Sequence, residues 1–241
     1  MFRKTVKRIL VVILCVVLLG TLASSFVGKS PGKGDKTALD KYLAQEKLSE
    51  RLVWDFKTPL TTDQNDEYML IPDPGFVVDQ SKGKFTVRND YYSYTGSDGV
   101  NTTSDFVLRQ QEISNRTFKD FCVTFEFSGL NPLNMDFRVR VHSSSNRIDE
   151  NLLRIRDGKL YAGDQELARL SPLRTSEIAY AVDVSAEEYT VFLNGKKLGT
   201  FDLPTALPST VVRFCEIDIY CAPDRANVGR ETTLDNITLY Y

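Results

Sequence analysis

The side chains best suited to chemistry in this chain stand two residues apart within short alternating runs. In Asp136–His142, Arg138, Arg140 and His142 alternate with Phe137, Val139 and Val141. Arg154 and Arg156 alternate with Leu153 and Ile155, and Glu126 lies between Phe125 and Phe127. Glu216, Asp218 and Tyr220 alternate with Cys215, Ile217 and Ile219. An extended strand turns successive side chains to opposite faces, so each run predicts an apolar core face and a charged outer face. If the outer faces belong to one sheet, they form a surface of arginines, one histidine and carboxylates. Guanidinium forks bind carboxylates or sulfates bidentately, and carboxylates accept hydrogen bonds from sugar hydroxyls. The plainer expectation is a cross-strand charge ladder, each pair worth about 0.2–1 kcal/mol. His142 is the only histidine. A Ser-His-Asp triad or multi-histidine metal site therefore has one candidate and no supporting motif, and His142 is expected as an exposed strand residue. Tyr91, Tyr92 and Tyr94 fall in a segment rich in Gly, Ser and Asp. On a loop they can stack on sugar rings, or pack against the edge of the domain.

The elements that must position these groups are short and numerous. From Leu52 onward the apolar period is two, and about a dozen runs are bounded by turn residues at Lys82-Gly83, Asp157-Gly158 and Asn194-Gly195. Asn-Gly is a strong hairpin signal because both residues tolerate positive φ. Many short strands without a convincing helix among them predict an all-β antiparallel sandwich or barrel over 52–241. Upstream, Leu39, Tyr42 and Leu43 recur at helical spacing within 37–51 and predict a short amphipathic helix. Trp54 falls in the first alternating run and is expected in the core.

The N-terminus sets the expected compartment. Arg3, Lys4, Lys7 and Arg8 precede a nearly uninterrupted apolar run from Ile9 to Val27. Residues 1–27 are therefore expected to be a membrane helix with the domain on the extracellular side, or a signal peptide cleaved after Ala23-Ser24-Ser25. Gly28 to Lys36 is rich in Gly, Lys and Pro, as a tether would be, and 28–51 forms the linker with its helix. The whole chain has net charge −2, and setting aside the four N-terminal cations leaves −6 on residues 26–241. That balance, with no basic stripe, argues against a nucleic-acid partner. Cys122, Cys215 and Cys221 are too few for a disulfide-built scaffold. They are expected as free buried thiols, with a bridge from Cys122 to either of the others left open.

The stretch Ala179 to Leu198, with Val182-Asp183 followed by Tyr189-Thr-Val-Phe-Leu-Asn-Gly-Lys196, resembles the late hairpin of the concanavalin A-like lectin/glucanase superfamily, which includes laminin-G-like modules. The close, Leu234-Asp-Asn-Ile-Thr-Leu-Tyr240, is similar to the last strand of many carbohydrate-recognising jelly rolls. The resemblance implies a two-sheet jelly-roll sandwich behind the membrane helix, and a glycan on one sheet face. It also implies that Glu216 and Asp218 match two positions of the E-I-D-I motif of laminarinase-type hydrolases. The third acid is missing, since Tyr220 or Cys221 stands there. Retaining hydrolysis needs two carboxyl groups about 5–5.5 Å apart, one to attack and one to protonate the leaving oxygen. A non-catalytic glycan-binding module is the leading expectation, a divergent hydrolase the second, and a surface protein-interaction or sensor module the third. No cofactor is expected, save that Asp235 resembles an Asp that holds structural Ca²⁺ in some jelly rolls; calcium needs six or more oxygens.

Overall fold

A computed structural model describes residues 36–49, 51–57, 76–81, 84–89, 104–108, 117–118, 120–142, 147–203, 212–221 and 227–241. The expected membrane segment at 1–27, most of the tether, the Lys82-Gly83 turn, and Tyr91, Tyr92 and Tyr94 lie outside the described residues. Among the described residues no helix is long and apolar enough to cross a membrane.

Residues from Ala38 to Tyr241 form one compact unit. It opens with a helix, α1 (Ala38–Gln45), followed by fifteen strands among the described residues. The strands are β1 (Arg51–Trp54), β2 (Phe76–Asp79), β3 (Phe85–Asn89), β4 (Ser104–Leu108), β5 (Thr117–Phe118), β6 (Asp120–Ser128), β7 (Met135–His142) and β8 (Arg147–Arg156). They continue with β9 (Lys159–Ala162), β10 (Gln165–Arg169), β11 (Ser176–Asp183), β12 (Glu188–Leu193), β13 (Lys196–Asp202), β14 (Val212–Cys221) and β15 (Glu231–Tyr240). One sheet runs β13-β12-β11-β6-β15-β3-β2, with β1 also on β15; the other runs β10-β9-β8-β7-β14-β4, with β5 also on β14. All pairings are antiparallel.

The alternation behaves as its period requires. Phe121, Val123, Phe125 and Phe127 of β6 are buried, as are Phe137 of β7 and Leu153 and Ile155 of β8. Phe125 stacks on Phe137 across the two sheets, with centroids 4.4 Å apart and planes 16° apart. Trp54 is in the same core. Asn194-Gly195 and Asp157-Gly158 close their hairpins with φ of 50°/74° and 50°/71°, which both residues of a type I′ turn need. Strand β10 has no counterpart among the expected runs. Gln165–Arg169 has little apolar alternation and is mostly exposed, and it becomes a strand by pairing with β9 across a turn with Gly163 at φ 55°.

Helix α1 lies on the outer face of the first sheet. Leu39 of α1 and Leu48 beyond it pack with Cys122, Ala179, Ala181 and Phe192, and Tyr42 meets Phe192 edge-on at 5.6 Å. Small residues on β6 and β11 make room for the helix. Cys122 is a free thiol there, and burial pushes its pKa up, so it is protonated and unreactive.

That interface is acidic. Glu177 stands opposite Glu126, and Asp183 opposite Asp120, in the β11–β6 register. Burial, then Asp40 of α1 and Glu126, raises the Glu177 pKa; burial, then Asp183 and Glu46, raises that of Asp120. A carboxyl whose folded pKa lies above its unfolded value stabilises the fold more as pH falls through the folded value. Amide exchange in α1, corrected for its intrinsic rate, is therefore expected to slow from about pH 7 to about pH 5. The variant Glu177→Gln with Asp120→Asn, which removes the two titrating carboxyls, is expected to flatten that dependence. A pH response equal in the variant would contradict the assignment.

Candidate functional site: the β7–β8–β14 face

The register of the second sheet brings most of the outward-facing candidates onto neighbouring strands. Asp218 stands opposite Arg138, and Glu216 opposite Arg140, between β14 and β7. On the other side of β7, Arg138 faces Asn151 and Arg140 faces Asp149 of β8. Arg213, His142 and Arg147 share the next row. At the opposite end a row runs Tyr220, Asp136, Arg154 and Tyr161. Two irregularities set this alignment. An extra residue at Leu152 separates the Phe137–Leu153 and Arg138–Asn151 pairs, and one at Cys215 separates Phe214–Val141 from Glu216–Arg140. Without them the acidic and basic positions would fall out of step by one residue.

Asp136 organises the end row, and the outward set drawn from the sequence omits it. Arg156 donates to its Oδ1, and the Arg154 Nε lies 3.9 Å from the same oxygen. Arg156 also donates to the carbonyls of Met135 and Ile155, both at 2.9 Å. Arg154 reaches Asp164 at 3.3 Å. The Asp136 carboxylate is largely buried, whereas both arginines keep more than a third of their side chains exposed. These two arginines are therefore fixed by the protein and present only their outer edges. Asn151, opposite Arg138, differs: its Oδ1 is buried and accepts no hydrogen bond in the structure.

Two candidates stand elsewhere. Glu126 is on β6, in the first sheet, opposite Glu177 and Asp235, and does not join the arginines. The alternation gave its face correctly but carries no information on which sheet a strand enters. Asp235 lies beside a bulge of β15; its Oδ1 accepts from the Asn236 amide at 2.9 Å, and Lys84 Nζ is 3.7 Å from its Oδ2. Among the described residues no three His, Cys, Asp or Glu side chains converge as metal ligands. Asp235 is thus paired with Lys84 and stands opposite Glu126 in the register.

No protein-family model matches the chain, and no curated protein sequence does. Solved structures do. A sialidase superposes with a TM-score of 0.54 at 9% identity over 85% of this chain, which spans 18% of the sialidase's length. The carbohydrate recognition domain of Emp46p, in its potassium-bound form, matches at 0.49 and 9% identity, covering 79% of this chain and 95% of that one. Alginate lyase vAL-1 from Chlorella virus matches at 0.47 and 10% identity, covering 72% of this chain and 93% of that one. The two antiparallel sheets and the likeness to the sialidase define the class: the chain has a two-sheet antiparallel β-sandwich fold. A fold of this kind carries many activities, so function has to come from the site.

Proposed function

We propose that the domain is a non-catalytic module that binds an extracellular glycan on the β7–β8–β14 face. The observation that carries this is the register, which alternates donors and acceptors in rows: Asp218–Arg138–Asn151, Glu216–Arg140–Asp149 and Asp136–Arg154. Every arginine in these rows shares its row with a carboxylate or an amide. These three rows, compensated in this way, offer little net attraction to a polyanion; the row of Arg213, His142 and Arg147 beyond them has no carboxylate and lies outside the proposed site. The three rows suit the paired donor and acceptor of each sugar hydroxyl. Tyr161 at the end of the last row can stack on a sugar ring. The ligand class is therefore a neutral, hydroxyl-rich saccharide, presented outside the membrane in which residues 1–27 anchor the chain.

Neither Tyr220 nor Cys221 supplies the carboxylic acid that would protonate a leaving group beside Glu216 and Asp218, which favours binding over hydrolysis. A glycan array probed with the full chain in detergent tests the proposal. Retention of neutral saccharides that persists in high salt, and is lost in the Arg138→Gln, Arg140→Gln double variant, is the expected result. Exclusive, salt-sensitive retention of polyanions would overturn the ligand class, and release of reducing ends from a bound glycan would overturn the non-catalytic assignment.

A further inference from the structure

Three of the four exposed large apolar side chains among the described residues sit at one end of the sandwich. Leu130 is 76% exposed, Leu173 83% and Val228 41%. They belong to the loop between β6 and β7, the loop between β10 and β11, and the turn before β15. These segments surround one pocket of about 240 Å³, lined among others by Leu130, Asp157, Arg169, Ser171 and Arg230. The pocket has room for a polar group of several heavy atoms.

The loop carrying Leu130 and the turn carrying Val228 are tied down at their bases. Asn227, fully buried, accepts from the Asn134 amide at 2.7 Å, and Thr232 Oγ1 accepts from Leu133 N at 2.9 Å. Arg230 donates to Asp157 at 2.6 Å and to the Pro132 carbonyl at 3.0 Å. Leu130 and Val228 are thus carried outward on segments whose bases are pinned by buried hydrogen bonds.

Exposed cations gather at the pocket end, where Glu177 and Asp40 of α1 also lie. Arg169, Arg174, Lys196 and Lys197 are exposed at the pocket end. Glu166, which feels the Arg169 charge, is hydrogen-bonded by Lys159 at 2.7 Å. The carboxylates Asp157 and Glu231 are countered there by Arg230 and Arg88. Across the nine residues of β6, about 30 Å away at ~3.3 Å per residue, the first sheet ends in Asp120, Asp183, Glu187, Glu188 and Asp202. The chain enters the unit at the basic end, because the Leu39 amide donates to the Gly195 carbonyl at 3.2 Å.

We propose that this end is a membrane-docking surface. Leu130, Leu173 and Val228 enter the interface, the exposed cations meet anionic lipid headgroups, and Arg169 with Ser171 seats one headgroup in the pocket. The inference rests on the reading of residues 1–27 as an anchor, which keeps the chain beside a bilayer.

The test uses the full chain in nanodiscs with and without anionic lipid, read by hydrogen exchange of peptides covering 129–134 and 170–175. Exchange there is expected to slow roughly tenfold on anionic discs, from about fivefold per engaged arginine less the entropy of seating. The protection is expected to be lost in Leu130→Ser with Leu173→Ser and, separately, in Arg169→Glu with Arg174→Glu. Equal exchange on neutral and anionic discs, with the chain resisting alkaline carbonate extraction, would overturn the docking surface alone. A chain released by carbonate would remove the anchor and the docking surface together.

Discussion

Phe137→Ala is expected to lower the melting temperature by roughly 10 °C, the largest effect of any single change considered for this chain. Phe137 is 1% exposed, and its ring lies nearly parallel to Phe125 of the opposite sheet. Truncation deletes the ring from a packed core and leaves a cavity between two sheets that their ladders hold apart. Phe-to-Ala changes of this kind cost about 3–5 kcal/mol. The inter-sheet ring pair adds roughly 0.5–1.5 kcal/mol beyond area. Phe137→Leu refills part of the volume and is expected to recover more than half of the loss. Calorimetry checks both, and a Phe137→Ala melt within 2 °C or so of the parent, below the usual cost of ~1 kcal/mol, would contradict the inter-sheet packing.

Asp136→Ala is the second. Its largely buried carboxylate holds Arg156 and lies 3.9 Å from the Arg154 Nε. Removing one partner of a fully buried ion pair costs about 3–5 kcal/mol, but both arginines are more than a third exposed and recover water. About 2 kcal/mol is therefore expected, or roughly 4–8 °C in melting temperature. Asp136→Asn keeps an acceptor oxygen and is expected to lose about half as much. The double variant Asp136→Ala, Arg156→Gln is expected to be less destabilised than the sum of the single changes, since the guanidinium no longer lacks its partner. Additive losses in that cycle would show that Asp136 acts through something other than the arginine.

Much of the fold was legible because a period of two has one physical meaning. Phe121, Val123, Phe125 and Phe127 declared a core face, and the structure buries all four. Asn194-Gly195 declared a hairpin, and both residues take positive φ. Helical spacing of Leu39, Tyr42 and Leu43 gave α1, and the sandwich takes it on a face of small residues, Cys122, Ala179 and Ala181. Those residues are the one hint in the sequence that this face would be covered.

The site was legible only in part. Alternation placed Arg138, Arg154 and their neighbours on an outer face but could not say which strands would adjoin. Glu126 therefore reads as a companion of the arginines in the sequence and belongs to the other sheet in the structure. The extra residues at Leu152 and Cys215 carry no Gly or Pro signal, yet they decide which acid meets which base. Asp136 shares the alternation of Arg138 and Arg140, so its face was findable. Its place at the boundary of the run conceals that it ties two arginines together. The basic, leucine-tipped end could not be read at all, because it is assembled from segments as far apart in sequence as Leu130, Leu173 and Val228.

The proposed ligand of the row-paired face of β7, β8 and β14 is a neutral saccharide. Titration calorimetry of the full chain with the strongest array saccharide, at low and at high salt, tests it most directly. Affinity is expected to change less than threefold with salt, and to fall at least tenfold in Arg138→Gln with Arg140→Gln, about 1.4 kcal/mol, while Lys196→Gln with Lys197→Gln on the distant turn leaves it unchanged. Equal affinity in the parent and the Arg138, Arg140 variant, with both chains folded, would contradict the account.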